Sequence, residues 1–255
     1  MKIATFNVNS LRARIDIVSD WLKKNTPDIL CVQETKVQDK DFPTQPFDDL
    51  GYNCVFAGQK SYNGVAIFSS EKPVNIKLGF NTEPNDKPRL IIAKIQNINI
   101  VNTYVPQGDS PESEKFQYKL EWFDRLLALF KKNFKPADPI IWTGDFNIAP
   151  EAIDVYDPKA LFGSVCYHPL VQEKLNMFIK WGFTDIFRLH CKEPNKYTFW
   201  DYRIKNALAR NLGWRLDHIL ATAPLVKKSK DCYIDKAPRT MQKPSDHTPL
   251  VANFS

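Results

Sequence analysis

Residues 139–147 read Pro139-Ile140-Ile141-Trp142-Thr143-Gly144-Asp145-Phe146-Asn147. The apolar run Ile140–Trp142 has the length of a buried strand entered after a proline. Gly144 frees the backbone to turn. Asp145 and Asn147 follow two residues apart, and on an extended chain such side chains project to one side. A carboxylate and a carboxamide are thus delivered together at the carboxyl end of a core strand, a usual position for chemistry in α/β proteins. The carboxylate can take a proton or hold a metal, and the amide can donate to a negative oxygen without adding charge. Alone, the same stretch also fits a loop whose Asp and Asn cap backbone groups, so the rest of the chain has to decide.

Working outward, other buried-strand candidates end in polar residues in the same way. Lys2–Phe6 runs into Asn7-Val8-Asn9-Ser10, and Ile29–Val32 runs into Gln33-Glu34-Thr35-Lys36. Asn97–Val105 alternates towards Tyr104, Leu216–Ala221 starts beside Asp217, and Asp246-His247 precedes the last strand, Leu250–Phe254. Between them, Leu11, Ile15, Val18 and Trp21 fall at helical spacing, with Ser10 as the expected cap. Phe116, Leu120, Phe123, Leu127 and Phe130 define a second amphipathic helix, and Leu175, Phe178 and Ile179 a third closed by Gly182. Tyr52–Phe56 with Gly64–Phe68, and Leu90–Ile95 with Asn97–Val105, read as strand pairs, and Lys227–Lys243 as a basic connection. Strand–helix units interrupted by strand pairs predict an α/β protein with mixed sheets. No low-complexity tract or Pro/Gly/Ser linker divides residues 1–255, so one catalytic domain is expected.

Composition sets bounds. The chain of 255 residues is 43% hydrophobic and 25% charged, as for a globular protein with room for a core. A net charge of +6 suits a phosphate-rich partner. The five cysteines are widely spaced without Cys-x-x-Cys, which disfavours a zinc site or disulfide framework and points to a reducing cytoplasm. No apolar run approaches the ~18 residues of a membrane span, and Lys2-Ile3 already enters a strand, so neither a membrane partner nor a signal peptide is expected.

The polar residues at strand ends are Asn7, Asn9, Glu34, Tyr104, Asp145, Asn147, Asp217, Asp246 and His247. Oxygen ligands dominate and no thiolate is included, which selects a hard cation such as Mg²⁺ or Mn²⁺ over zinc. A cation, a base for water and donors for developing charge together suit hydrolysis of a phosphate ester.

Asn7-Val8-Asn9-Ser10-Leu11-Arg12, Gln33-Glu34-Thr35-Lys36, Tyr104-Val105-Pro106, Gly144-Asp145-Phe146-Asn147, Trp200-Asp201-Tyr202-Arg203 and Ser245-Asp246-His247, in this order, resemble the exonuclease III family of apurinic/apyrimidinic DNA repair endonucleases. That family lies within the endonuclease/exonuclease/phosphatase superfamily. The resemblance implies a four-layered sandwich of two packed mixed β-sheets flanked by helices. It implies Mg²⁺-dependent hydrolysis 5′ to abasic sites in double-stranded DNA, with 3′→5′ exonuclease and 3′-phosphatase or phosphodiesterase activity at blocked 3′ ends; a monomer is expected from the single domain. Mn²⁺ is expected to substitute. Carried over by motif, Glu34 binds the metal with Asn7 and Asp246 close by, and Asp145 and Asn147 are further candidate ligands. Asp145 orients or deprotonates the attacking water, and Asn147 holds Asp145 and donates to a phosphate oxygen. His247 meets the scissile phosphate with Asp217 fixing its tautomer, and Tyr104 lies beside the phosphate. Arg12, Lys36, Asn63 and Gln107 are the expected DNA contacts. Phe199, Trp200, Tyr202 and Arg203 add an aromatic and cationic mix suited to stacking and phosphate binding, with one of Phe199 and Trp200 lining the pocket and the other in the core.

Two alternatives use the same residues differently. One is a superfamily phosphodiesterase or phosphatase for a non-DNA ester. The other is a DNA-binding module without catalysis, for which the full set Glu34, Asp145, Asn147, Asp246 and His247 would be superfluous. Asn9 stands where some family members have an aspartate, and a neutral amide is a weaker ligand, so one dominant metal site is expected. His168, His190 and His218 have no motif support and read as structural.

Overall fold

A computed structural model describes residues 1–255. The first half contains β1 (Lys2–Asn7), α1 (Ile15–Asn25), β2 (Ile29–Gln33), α2 (Gln45–Asp48), β3 (Asn53–Ala57), β4 (Val65–Ser69), β5 (Val74–Leu78), β6 (Leu90–Ile95) and β7 (Ile98–Tyr104). The second contains α3 (Glu114–Asn133), β8 (Ile140–Asp145), α4 (Pro169–Trp181), β9 (Phe183–Asp185), α5 (Ile186–His190), β10 (Asp217–Thr222), α6 (Ala223–Val226), β11 (Ser229–Ile234) and β12 (Leu250–Phe254). No helix is long and apolar enough to cross a membrane.

The strands form two six-stranded sheets, ordered β11-β12-β1-β2-β4-β3 and β5-β6-β7-β8-β10-β9. Each sheet is mixed. β1 and β2 run parallel in the first and β7 and β8 in the second, with α1 and α3 as the crossovers; a parallel pair needs such a connection. Four layers result from three apolar interfaces. Ile3, Ile29, Ile100, Ile141, Ile219 and Leu250 meet between the sheets. Phe116, Phe123, Phe130, Trp142 and Phe178 join the second sheet to α3 and α4. Ala4, Phe6, Val18, Trp21 and Leu30 join the first to α1. Strands covered on both faces explain why β1, β2, β8 and β10 read as continuous apolar runs.

Ser113 caps α3 through its Oγ, which accepts from the Phe116 N–H at 3.1 Å. Gly182 closes α4 at φ 137. Ser10 is not the cap of α1, which begins at Ile15 after Arg14. The N–H groups of Ser10 and Leu11 donate instead to Glu34 and Thr35 carbonyls at 2.8 and 3.0 Å. Backbone pairing between two strand ends thus outcompetes the local cap. The basic connection 227–243 contains a strand, β11, at the sheet edge; its mostly outward side chains carry no apolar period to reveal it.

Candidate active site

Register brings the site together. Tyr104 lies opposite Asp145 across the parallel pair β7/β8, and Asp145 opposite Asp217 across β8/β10. Neighbouring strands are about 4.8 Å apart, so three distant positions form one row at the end of the second sheet. Gly144 makes this possible: a Cβ there would stand 1.9 Å from the Thr103 carbonyl oxygen. In the first sheet Asn7 pairs with Gln33, which places Glu34 just beyond it. Asn9, Glu34 and Asn147 all adopt the left-handed backbone, at φ 44, 53 and 50. Such conformations are costly for non-glycine residues and gather at functional sites.

A cavity of about 450 Å³ opens on this row, lined by Glu34, Tyr104, Gln107, Asp145, Asn147, Phe199, Arg203, Asp246 and His247 among others. Asn7 is the keystone of its floor. Its Nδ2 donates to Glu34 Oε1 at 2.9 Å and to Asp145 Oδ2 at 2.8 Å, while its Oδ1 accepts from the Asn9 N–H at 3.0 Å. With its nitrogen towards the carboxylates, Asn7 orients Glu34 and Asp145. Asn147 donates its N–H to Asp145 Oδ1 at 2.9 Å and its Nδ2 to the Val105 carbonyl at 3.0 Å. His247 Nδ1 and Asp217 Oδ2 are 2.7 Å apart, and His247 Nε2 stands 3.8 Å from Asp145 Oδ2. Ser245 Oγ donates to the Asn7 carbonyl at 2.7 Å, locking the Asp246-His247 turn onto β1.

The electrostatics are uneven. Burial pushes the Asp145 carboxyl up; His247 and the hydrogen bonds from Asn147 and Asn7 pull it down, Asp217 adds to the rise, and the net is upward. Burial disfavours the His247 imidazolium, but Asp217 and Asp145 outweigh it and hold the ring protonated above its ordinary range. Glu34 is also penalised by burial, yet the Lys36 ammonium, 2.8 Å from Oε2, and the Asn7 amide hold its carboxyl below the usual value. Burial, then Glu34 and Asp145, push the Tyr104 phenol well up, so it stays a hydrogen-bond donor.

Asp145, Asp217 and His247 bring one potential ligand atom each within 4.8 Å of one another. His247 Nδ1 is taken up by Asp217, however, so the carboxylates of Glu34, Asp145 and Asp246 are the better donors. The set fits a hard divalent cation on two observations. The three carboxylates offer only oxygens, and the neighbouring buried Asp217 Oδ1 has no hydrogen-bond partner, a polar atom the protein leaves unsatisfied.

The expected DNA contacts divide. Gln107, Phe199 and Arg203 line the cavity. Tyr202 is half-exposed and donates to the Pro244 carbonyl. Trp200 is 0% exposed, beneath Lys236 and Arg239, so it cannot touch DNA, and Phe199 is the pocket aromatic of the two. Lys36 is committed to Glu34. Asn63 uses its carbonyl to accept from the Lys36 N–H at 2.9 Å. Arg12 is exposed and outside the cavity; Arg14, two residues on, is the arginine folded towards the site, donating to the Asn9 and Pro244 carbonyls at 2.7 and 3.1 Å. Sequence reasoning also missed Arg89, whose guanidinium lies 4.9 Å from the Tyr104 ring, and the buried Lys119. Lys119 falls in the apolar register 116–119–120–123, a placement that could have flagged it.

A fold of two packed mixed sheets, with a carboxylate-rich cavity at one end, matches known proteins along its whole length. The endonuclease/exonuclease/phosphatase family profile matches residues 4–247. The chain is 34% identical to exodeoxyribonuclease III of Haemophilus influenzae, over 100% of both chains. It superposes on an AP endonuclease from Archaeoglobus fulgidus with a TM-score of 0.98 at 50% identity, covering 100% of this chain and 99% of that one. It superposes on a 3′-5′ exonuclease from Neisseria meningitidis with a TM-score of 0.95 at 36% identity, covering 100% of both. The chain belongs to the endonuclease/exonuclease/phosphatase family, whose members of this kind are metal-dependent hydrolases. Within it, the chain stands with the exodeoxyribonuclease III and AP endonuclease group of DNA repair nucleases.

Proposed function

We propose that residues 1–255 act as one monomeric catalytic domain in the cytoplasm. It hydrolyses the phosphodiester 5′ to abasic sites in double-stranded DNA with Mg²⁺, and trims blocked 3′ ends as a 3′→5′ exonuclease and 3′-phosphatase or phosphodiesterase. The observation that carries this reading is the convergence of Glu34, Asp145, Asn147 and the Asp217–His247 pair on one cavity. The five free cysteines suit a reducing compartment.

In this reading Glu34, Asp246 and Asp145 hold the cation, which when bound neutralises phosphate charge and polarises the scissile group. Asp145 orients the attacking water and accepts its proton. The water oxygen bonds to phosphorus and the bond to the 3′ oxygen breaks, leaving a 3′-hydroxyl and a 5′-deoxyribose phosphate. Tyr104, kept as a phenol, donates towards the departing oxygen. His247, fixed in place and held positive by Asp217, stabilises the phosphate's developing charge together with the Asn147 amide. Phe199 offers a face against which an extruded abasic sugar packs; extrusion is cheap there because no base is unpaired. Gln107, Tyr202 and Arg203 meet the backbone around it.

The test is a duplex oligonucleotide with one central tetrahydrofuran residue, incubated with Mg²⁺ or with EDTA beside an undamaged duplex. A single Mg²⁺-dependent nick 5′ to the analogue is expected, with a ladder of shortened products if exonuclease activity follows. No nick with either Mg²⁺ or Mn²⁺ while DNA is still bound would overturn the catalytic reading.

A further inference from the structure

Lys119 is a fully buried ammonium on α3 that the reaction does not use. It pairs with no carboxylate. Its Nζ donates to three backbone carbonyls, of Gln107 at 3.1 Å, Asn147 at 2.8 Å and Val165 at 2.9 Å. These acceptors belong to three separate segments, and all three residues line the cavity. Burying an ammonium is costly unless its protons are satisfied, and here they are spent on tying loops together. The loop before α3 is shaped around this brace. A Cβ at Gly108 would stand 2.7 Å from Val165 and 3.3 Å from the Lys119 side chain. Ser113 Oγ donates to the Gly108 carbonyl at 2.7 Å.

Resting on the nuclease function proposed above, we propose that Lys119 is a positioning residue. It fixes Asn147, and through the Asn147 N–H the Asp145 carboxylate, against the Gln107 and Val165 walls of the cavity. The bracing is directional. α3 is the crossover whose flanking strands carry Tyr104 and Asp145, so a cation on its first turns reaches both sides of the row. Lys119 touches no substrate, so its loss misaligns the reacting groups and leaves DNA affinity to the rim residues.

The test compares Lys119→Met and Lys119→Gln with wild type on the abasic duplex at saturating Mg²⁺. A neutral chain of similar length is expected to lower kcat at least about tenfold, as small misplacements of reacting groups do, with KM for DNA rising less than kcat falls because only Gln107 of the DNA-facing residues is released; Lys119→Gln, which keeps some donors, falls between. Hydrogen exchange should accelerate in 105–109, 146–149 and 163–167 and stay unchanged at the carboxyl end of α3. Leu127→Ala, a core truncation about two turns along the same helix, controls for stability and should leave kcat unchanged. If Lys119→Met does not fold, Gly108→Ala strains the same brace from the loop side and should lower kcat by more than it raises KM. Wild-type kcat and exchange in a folded Lys119 variant, or an equal kcat loss in Leu127→Ala, would overturn the proposal. Wild type failing to nick at all, with exchange accelerated as expected in Lys119→Met, would sink the nuclease reading and keep the brace.

Discussion

Two buried charge clusters lie at the carboxyl end of β8 and behave oppositely. In the first, Asp154 and Asp185 face Arg188 and Arg215. Arg215 Nε donates to Asp154 Oδ1 at 2.6 Å and its Nη1 to Asp185 Oδ2 at 2.8 Å; Arg188 donates to Asp154 as well. His218 completes it, with Nδ1 against Arg215 and Nε2 against the Ile148 carbonyl, as befits a structural histidine. Burial alone would push both carboxyls up, but the guanidiniums more than offset it and hold them low. In the second cluster Glu34, Asp145, Asp217 and Asp246 make ion contacts within 4 Å only with Lys36 and His247, while Lys119, Arg203 and Arg239 act from further away. Asp145 is pushed up, and Asp217 Oδ1 lacks a partner. A closed ion network therefore stands in one place and an excess of carboxylates over contacting cations in the other. The first is scaffold for β8 and β10; the second has room for a charge the protein does not supply.

Breaking each cluster should separate the two roles. The largest effect is expected from Asp217→Asn, which removes the charge that holds and orients His247. By analogy with the aspartate of a hydrolytic triad, kcat should fall about 10³–10⁴-fold, as steady-state assays will show, and thermal melts should show a smaller loss of stability than Arg215→Met because the single hydrogen bond to His247 can persist. Arg215→Met should do the reverse. Removing one partner of a buried pair costs about 3–5 kcal/mol, so urea unfolding should shift strongly while the folded fraction keeps its kcat.

Acid should act on the scaffold cluster in a milder form, because protonation keeps part of its hydrogen bonding. Asp154 and Asp185 titrate lower in the folded than in the unfolded chain, where Asp is near 3.9. Their stabilisation is present above that value and lost as pH falls below it. Arg215→Met should flatten that loss in unfolding curves between about pH 5 and pH 2. The smallest effect expected is that of the cation. Mg²⁺ at 100 times its Kd should stabilise the fold by about 2.7 kcal/mol. Asp145→Asn should diminish this shift in melting temperature, whereas Arg215→Met should leave it intact.

Much of this was legible in the sequence because strand ends are local. Asn7, Glu34, Tyr104, Asp145 and His247 follow or precede apolar runs whose pairing the fold supplies. The α/β class with mixed sheets and the choice of oxygen chemistry followed from the same pattern; the two packed sheets came from the family resemblance. What could not be read depends on long-range partners. The nitrogen of Asn7 faces two carboxylates from different sheets, and no local signal sets an amide's orientation. Phe199 and Trp200 are adjacent and similar in chemistry, and it is packing with Tyr197, Ala207 and Leu212 from distant turns, with Lys236 and Arg239 over the indole, that puts Trp200 inside. Edge strands such as β11 bury too little to leave a period.

The most direct measurement is cleavage and stability of Asp145→Asn side by side. If the second cluster holds surplus negative charge for catalysis, incision of the abasic duplex should fall at least about a thousandfold. Duplex affinity should persist, and the melting temperature should stay equal to or above that of wild type because a buried charge has been removed. Retained cleavage together with a loss of stability like that of Arg215→Met would contradict the account and make Asp145 one more strut of the scaffold.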